Sequence, residues 1–149
     1  MNNNFSDNFL HKLDTKNRVS IPAAYRQWTD EEQVEFVMSK GPDTCIVVYP
    51  APEWDEFIGN LTAKLRKTNR NQRAYLRKYT HDASRVKCDK QGRMLVPQKL
   101  LDFAQIKDNV KIVGMGDTFE LWSEEIFNQD ELNHIPIDDD FFAEIEANL

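Results

Sequence analysis

Apolar and polar positions along this chain fall into short alternating runs separated by polar turns, and they lengthen into helical spacing only beyond Pro50. A polar and loose segment over residues 2–8 leads into a short strand around residues 9–13. A tight polar turn follows, then a strand that alternates apolar and polar, then Pro22, which opens a short helix through Ala23, Ala24, Tyr25 and Arg26. Residues 29–33 read as an acidic turn and residues 34–38 as the next strand, with Gly41 and Pro42 marking the turn after it. The continuous apolar run over residues 45–49 predicts a strand buried on both faces. Past Pro50, Trp54, Phe57, Ile58, Leu61 and Leu65 recur at i, i+3, i+4, i+7 and i+11, which gives one apolar helix face. Acidic residues open that helix and basic residues close it, as the helix dipole favours. The chain breaks near Asn69, and a second helix is expected over residues 70–79.

The pattern then repeats. Leu13-Asp14-Thr15-Lys16-Asn17-Arg18-Val19-Ser20-Ile21-Pro22 returns as Cys88-Asp89-Lys90-Gln91-Gly92-Arg93-Met94-Leu95-Val96-Pro97, at an offset of 75 residues. Each copy predicts a strand end, a tight turn, a short strand and a helix-opening proline. The turn calls for a residue tolerant of positive φ, a place taken by Asn17 in one copy and Gly92 in the other. Later elements follow at nearly the same offset: residues 110–113 answer the strand at Val34, and residues 118–122 answer the strand at Cys45. Ser123, followed by Glu124 and Glu125, predicts a capped helix in the place of the one after Pro50. The chain is an internal duplication.

Composition changes this picture little, but charge changes it more. The net charge of −6 conceals a segregation: residues 1–63 carry −5, residues 64–93 carry +9 and residues 94–149 carry −10. An acidic protein with one concentrated basic segment can bind a polyanion locally while repelling it elsewhere. The two cysteines, Cys45 and Cys88, read as small buried hydrophobes, and His11, His81 and His134 have no ligand spacing, so no metal and no cofactor are expected. No apolar run approaches the length of a membrane span and no signal peptide opens the chain, so a cytoplasmic location is expected. No catalytic spacing stands out, an enzyme is not expected, and Trp54 and Trp122 read as core anchors rather than base-stacking platforms.

Two stretches carry candidate chemistry. The repeated turns present Lys16 and Arg18 in one copy and Lys90 and Arg93 in the other. Arginine can bond O6 and N7 of guanine together, whereas lysine neutralises phosphate without reading sequence. The competing reading makes Asp14 with Arg18, and Asp89 with Arg93, simple staples of the turns. The second stretch is the basic helix, with Arg70, Arg73 and Arg77 on one face. A helix-turn-helix use of it is the weaker reading, because the surroundings are strand-rich. Pairing with acidic groups of a neighbouring subunit, at residues 53–56 or in the acidic tail, is the stronger one.

The doubled Asp-x-x-x-Arg, each followed by an apolar strand and Pro, resembles the MraZ family, each half looking like a SpoVT/AbrB-type swapped-hairpin domain. The resemblance covers the chain to about residue 128. It implies a mainly β fold with added helices, in which two repeats in one chain form a pseudo-twofold swapped-hairpin barrel. The expected divisions are repeat 1 over residues 8–55, a helical connector over 56–82, repeat 2 over 83–126 and an acidic tail over 127–149. The resemblance further implies a sequence-specific, DNA-binding transcriptional regulator of the bacterial division and cell-wall gene cluster, its own gene included, located at the nucleoid and assembled into a ring. Arg18 and Arg93 would be the readers, Lys16 and Lys90 would accompany them at the DNA, and Asp14 and Asp89 would be structural. Double-stranded DNA carrying short direct repeats is the implied partner, with no membrane and no small-molecule substrate. Two alternatives stay open: an antitoxin-like protein that binds DNA and a toxin, and a purely structural oligomer.

Overall fold

The computed structural model describes residues 4–26, 35–130 and 139–149. Strands β1 (Asn8–Lys12) and β2 (Arg18–Ser20) and helix α1 (Ala23–Arg26) open the chain, and strands β3 (Glu35–Lys40) and β4 (Ile46–Pro50) form a hairpin. Helices α2 (Ala51–Lys64) and α3 (Arg70–Thr80) follow. The second half repeats the plan with β5 (Ser84–Lys87), β6 (Arg93–Leu95), α4 (Gln98–Ala104), β7 (Asn109–Gly114), β8 (Phe119–Ser123) and α5 (Glu124–Gln129), and α6 (Asp139–Glu146) comes last. The acidic turn over 29–33, the expected strand start at Val34 and part of the tail fall outside the described residues.

Local chemistry sets the element ends. The Asn69 side chain accepts hydrogen bonds from the backbone N–H groups of Asn71 and Gln72, at 2.9 and 3.2 Å, so the chain can break there and restart as α3 without orphaned donors. Ser123 Oγ accepts from the Ile126 N–H at 3.3 Å, the cap its position predicts.

The duplication becomes a near-twofold arrangement through strand exchange. The larger sheet has the order β1-β7-β8-β4-β3-β5, antiparallel throughout, and it reads the same from either end when each strand is replaced by its counterpart in the other half. Thus β1 pairs with β7 of the second half, while β5 pairs with β3 of the first. The two short strands β2 and β6 pair with each other, with Val19 opposite Met94 at the centre. The closed barrel expected from the resemblance is not formed: β1 and β5 end the sheet at opposite edges, and the β2–β6 pair packs across one face. Strands three residues long satisfy one another but have too few ladder positions to bridge those edges.

Two cores lie on the two faces of the sheet. On one, Phe36, Met38, Ile46, Val48, Phe119 and Leu121 pack against Val19, Met94, Tyr25 of α1 and Leu100 and Leu101 of α4. On the other, Val37, Val47, Tyr49 and Trp122 pack against Trp54 of α2 and Tyr79 of α3, with Ile126 and Phe127 of α5 beside them. All five residues of β4 are buried, as its apolar run requires of a strand covered on both sides. The buried Ser39 hydroxyl donates to the Tyr79 carbonyl at 2.7 Å, fixing the end of α3 on β3.

The segment before β1 is not loose where it is described. Phe5 is 1% exposed and meets Tyr25 and Phe119 edge to face, with ring centroids 4.9 and 5.1 Å away. Its backbone exchanges two hydrogen bonds with Gly116. A Cβ on the neighbouring Gly114 would stand 2.6 Å from the Phe5 backbone, so glycine lets the two chains approach. A single apolar residue among asparagines has no periodicity to announce it.

Candidate nucleic-acid interface

The turns between β1 and β2 and between β5 and β6 are built by the same bonds. Asp14 Oδ1 accepts the backbone N–H groups of Lys16 and Arg18 at 2.9 and 2.8 Å, while Asp89 Oδ1 accepts those of Gln91 and Arg93 at 2.8 and 3.0 Å. Each carboxylate closes its loop as an Asx turn, which explains an aspartate four residues before an arginine. Asn17 has φ 61° and Gly92 has φ 77°, the left-handed backbone expected at both positions. Asn17 is further held by donating to Gln98 Oε1 at 2.9 Å, and Gln98 in turn donates to Asp102 at 2.8 Å. That brace from α4 is not readable from turn chemistry, because its partners lie 81 residues apart.

Strand pairing then sets the loops side by side. The Ile21 N–H donates to the Gly92 carbonyl at 2.8 Å and the Val96 N–H to the Asn17 carbonyl at 2.9 Å, equivalent bonds in the two halves. Arg18 Nε donates to Asp14 Oδ2 at 2.7 Å, and Arg93 Nε to Asp89 Oδ2 at 3.1 Å. Each guanidinium also points Nη1 at the other loop's aspartate, 3.9 Å away in both cases, too far for a hydrogen bond. Two arginines and two aspartates thus form one cluster with no net charge. The arginine side chains keep 27% and 30% of their surface. Their outer edges, Nη1 and Nη2, make no hydrogen bond among the described residues. Lys16 and Lys90 are exposed and have no carboxylate within ion-pair distance among the described residues.

Both readings of the arginines therefore meet in one geometry. Anchoring Nε fixes the plane of the guanidinium and leaves its two-pronged outer edge, the part that matches O6 and N7 of guanine. The sequence places four candidate residues in two loops; the fold sets those loops side by side and brings the two arginines together.

The family comparison matches the same span. The family model described as "MraZ protein, putative antitoxin-like" matches residues 5–78 and 80–144. This chain belongs to the MraZ family. The transcriptional regulator MraZ of Clostridium acetobutylicum is 38% identical over 97% of this chain and 98% of its own length. That of Clostridium tetani is 35% identical over the same shares, and that of Carboxydothermus hydrogenoformans is 38% identical over 83% of this chain and 84% of its own. The two matched segments of the MraZ model part at residue 79, near the end of α3.

The other sequence candidates lie elsewhere. Arg70, Arg73 and Arg77 of α3 are exposed on the sheet face opposite the MraZ signature loops, because α3 belongs to the Tyr79 core and the loops to the Val19 core. Cys45 is buried, its thiol pushed up by burial and then by the nearby Glu120, and it is unsuited to nucleophilic chemistry. No group of three or more His, Cys, Asp or Glu is placed to hold a metal among the described residues, and none of their helices is long and apolar enough to cross a membrane.

The loop carboxylates predict an acid limb. Hydrogen bonds from the backbone N–H groups, those of Arg18 and Arg93 first, hold Asp14 and Asp89 below the ordinary 3.8. A depressed folded pKa stabilises the fold above the unfolded value, and the gain is lost as pH falls through the folded one. Stability should therefore fall as pH drops below about 4, and less steeply in the Asp14→Asn/Asp89→Asn variant. Asp82, lowered chiefly by its hydrogen bond from Lys40, adds to the same limb in both proteins. Urea unfolding of both between pH 6 and pH 3 checks this; parallel curves would separate the two aspartates from the acid limb.

Proposed function

We propose that this chain is a sequence-specific DNA-binding transcriptional regulator whose paired loops meet duplex DNA, with Arg18 and Arg93 reading bases and Lys16 and Lys90 contacting phosphate. The observation that carries the reading is the juxtaposition of the two loops, each guanidinium anchored at Nε with its outer edge clear of hydrogen bonds to the described residues. The names of the relatives, transcriptional regulators, support it. In this reading residues 8–55 and 83–126 are the two repeats, residues 56–82 the connector and residues 127–149 the tail. Its target is the division and cell-wall gene cluster that includes its own gene, and it works at the nucleoid as a ring. One pair of loops binds weakly, and a ring multiplies it through effective concentration.

The preferred DNA should carry short direct repeats about one helical turn apart, roughly 10 base pairs, so that successive loops meet the same groove face. Affinity for such DNA and for a scrambled copy, measured across a salt series, tests this. Lys16→Ala or Lys90→Ala should weaken binding to both sequences alike and reduce the slope of log K against log salt by about 0.9 per engaged lysine. An unchanged slope would remove the lysines from the DNA contact. Equal affinity of the wild type for both DNAs would overturn the sequence-specific reading.

A second reading has its own support. The family description includes the word antitoxin, and α6 is an acidic helix whose described side chains are exposed, Ile145 among them. Such a helix suits capture of a small basic toxin. Copurification of such a protein, lost on deletion of residues 130–149, would favour it.

A further inference from the structure

On the sheet face opposite the loops, the start of α2 and the turn into β8 enclose a cleft of about 440 Å³. Four carboxylates line it: Glu53, Glu56, Asp117 and Glu120. None pairs with a Lys or Arg among the described residues. Two aromatic residues contribute to its wall, Tyr49 and Phe57, stacked at a centroid distance of 5.5 Å and an interplanar angle of 19°. Glu120 reaches it from near the start of β8, between the buried Phe119 and Leu121, and its Oε1 accepts the Trp122 indole N–H at 2.9 Å. Glu53 and Glu120 are half-buried, and a half-buried carboxylate without a cation is costly. Burial pushes Glu120 and Glu53 above the ordinary carboxylate value, and neighbouring carboxylates push them further: Asp43 for Glu120, Asp117 and Glu56 for Glu53.

Acidic walls beside stacked aromatic rings describe a receptor for a flat cation. A guanidinium satisfies carboxylates at its edge and aromatic rings at its face in one placement. The same chain supplies the complement. Arg70, Arg73 and Arg77 stand at i, i+3 and i+7 on α3 within the segment of net charge +9, and none pairs with a carboxylate among the described residues. Arg73 Nη1 donates to the Lys67 carbonyl at 2.8 Å. These arginines do not reach the cleft of their own chain. They also lie on the far side of the sheet from the signature loops, which separates them from DNA held there.

We propose that the cleft is the socket for the α3 arginines of a second copy of the chain, a head-to-tail contact that builds the oligomer and leaves the loops facing outward. The inference rests on the self-assembly proposed above. Because socket and plug are different surfaces, each copy offers one of both, and repetition closes into a ring when the rotation permits.

Sedimentation velocity on the full chain tests this with two variants: a socket variant, Glu53→Gln/Glu56→Gln/Asp117→Asn, and a plug variant, Arg70→Gln/Arg73→Gln/Arg77→Gln. Each alone should need at least a tenfold higher concentration to assemble than the wild type. Mixed in equal amounts they should stop at a dimer, because one working junction remains per pair. That dimer also shows that both variants are folded; Glu53→Gln and Arg73→Gln singly give the milder comparison where circular dichroism reports unfolding. Wild-type assembly by either folded variant, or a mixture that stays monomeric or reaches full size, overturns the contact. Assembly lost only on deleting residues 130–149 would assign the plug's partner to the tail and likewise overturn it. A wild type that never assembles refutes the oligomer itself, a result distinct from any of these.

Discussion

A fragment ending at Lys67 should not fold as a monomer. Of the strand pairs in the sheets, only β3 with β4 joins two strands of the first half; β1, β2, β3 and β4 each have a partner in the second half as well. The fragment strips β7 from β1, β6 from β2, β5 from β3 and β8 from β4. It also removes Met94, Val96, Leu100, Ile112, Phe119 and Leu121, all at most 1% exposed, from the core they share with Phe36, Met38, Ile46 and Val48. At about 1.5 to 3 kcal/mol for each large buried side chain, that loss is as large as the roughly 5 to 15 kcal/mol by which a domain is stable. Far-ultraviolet circular dichroism should show little structure, or sedimentation should show a dimer in which a second fragment replaces the missing half. The near-twofold sheet gives the second outcome a physical basis, since counterparts occupy equivalent places. A monomeric fragment that unfolds cooperatively would refute the shared core.

Replacing Arg18 or Arg93 with Ala should cost about 1 to 3 kcal/mol of binding per engaged site, roughly 5- to 160-fold, and relax base preference there. The loops should survive, because the Asx-turn bonds run from Asp14 and Asp89 to backbone N–H groups that alanine retains. Arg18→Lys and Arg93→Lys sharpen the test. Lysine keeps the charge but lacks the two-pronged edge, so these variants should bind scrambled DNA nearly as the wild type does and lose preference for the specific sequence. The measurement is affinity for both DNAs at two salt concentrations, with circular dichroism and sedimentation confirming that each variant is folded and assembled. Folded, oligomeric alanine variants that still discriminate fully would turn attention to Arg70, Arg73 and Arg77.

The features legible along the chain are local, each set by residues a few positions away. Positive φ at Asn17 and Gly92, the caps at Asn69 and Ser123, the apolar face of α2 and the doubly buried β4 all follow from neighbours along the chain. The duplication was equally legible. Long-range packing settles which strands pair, that β1 crosses to β7 and β5 to β3, and that the sheet stays open where a closed barrel was expected. It alone placed Phe5 at the centre of a core, set Arg18 beside Asp89 and Arg93 beside Asp14, and gathered Glu53, Asp117 and Glu120 around one cleft. Periodicity and turn chemistry record what a residue needs from its immediate neighbours. Pairings between residues 46 to 105 apart depend on which distant surfaces close the core best, and that competition leaves no local mark.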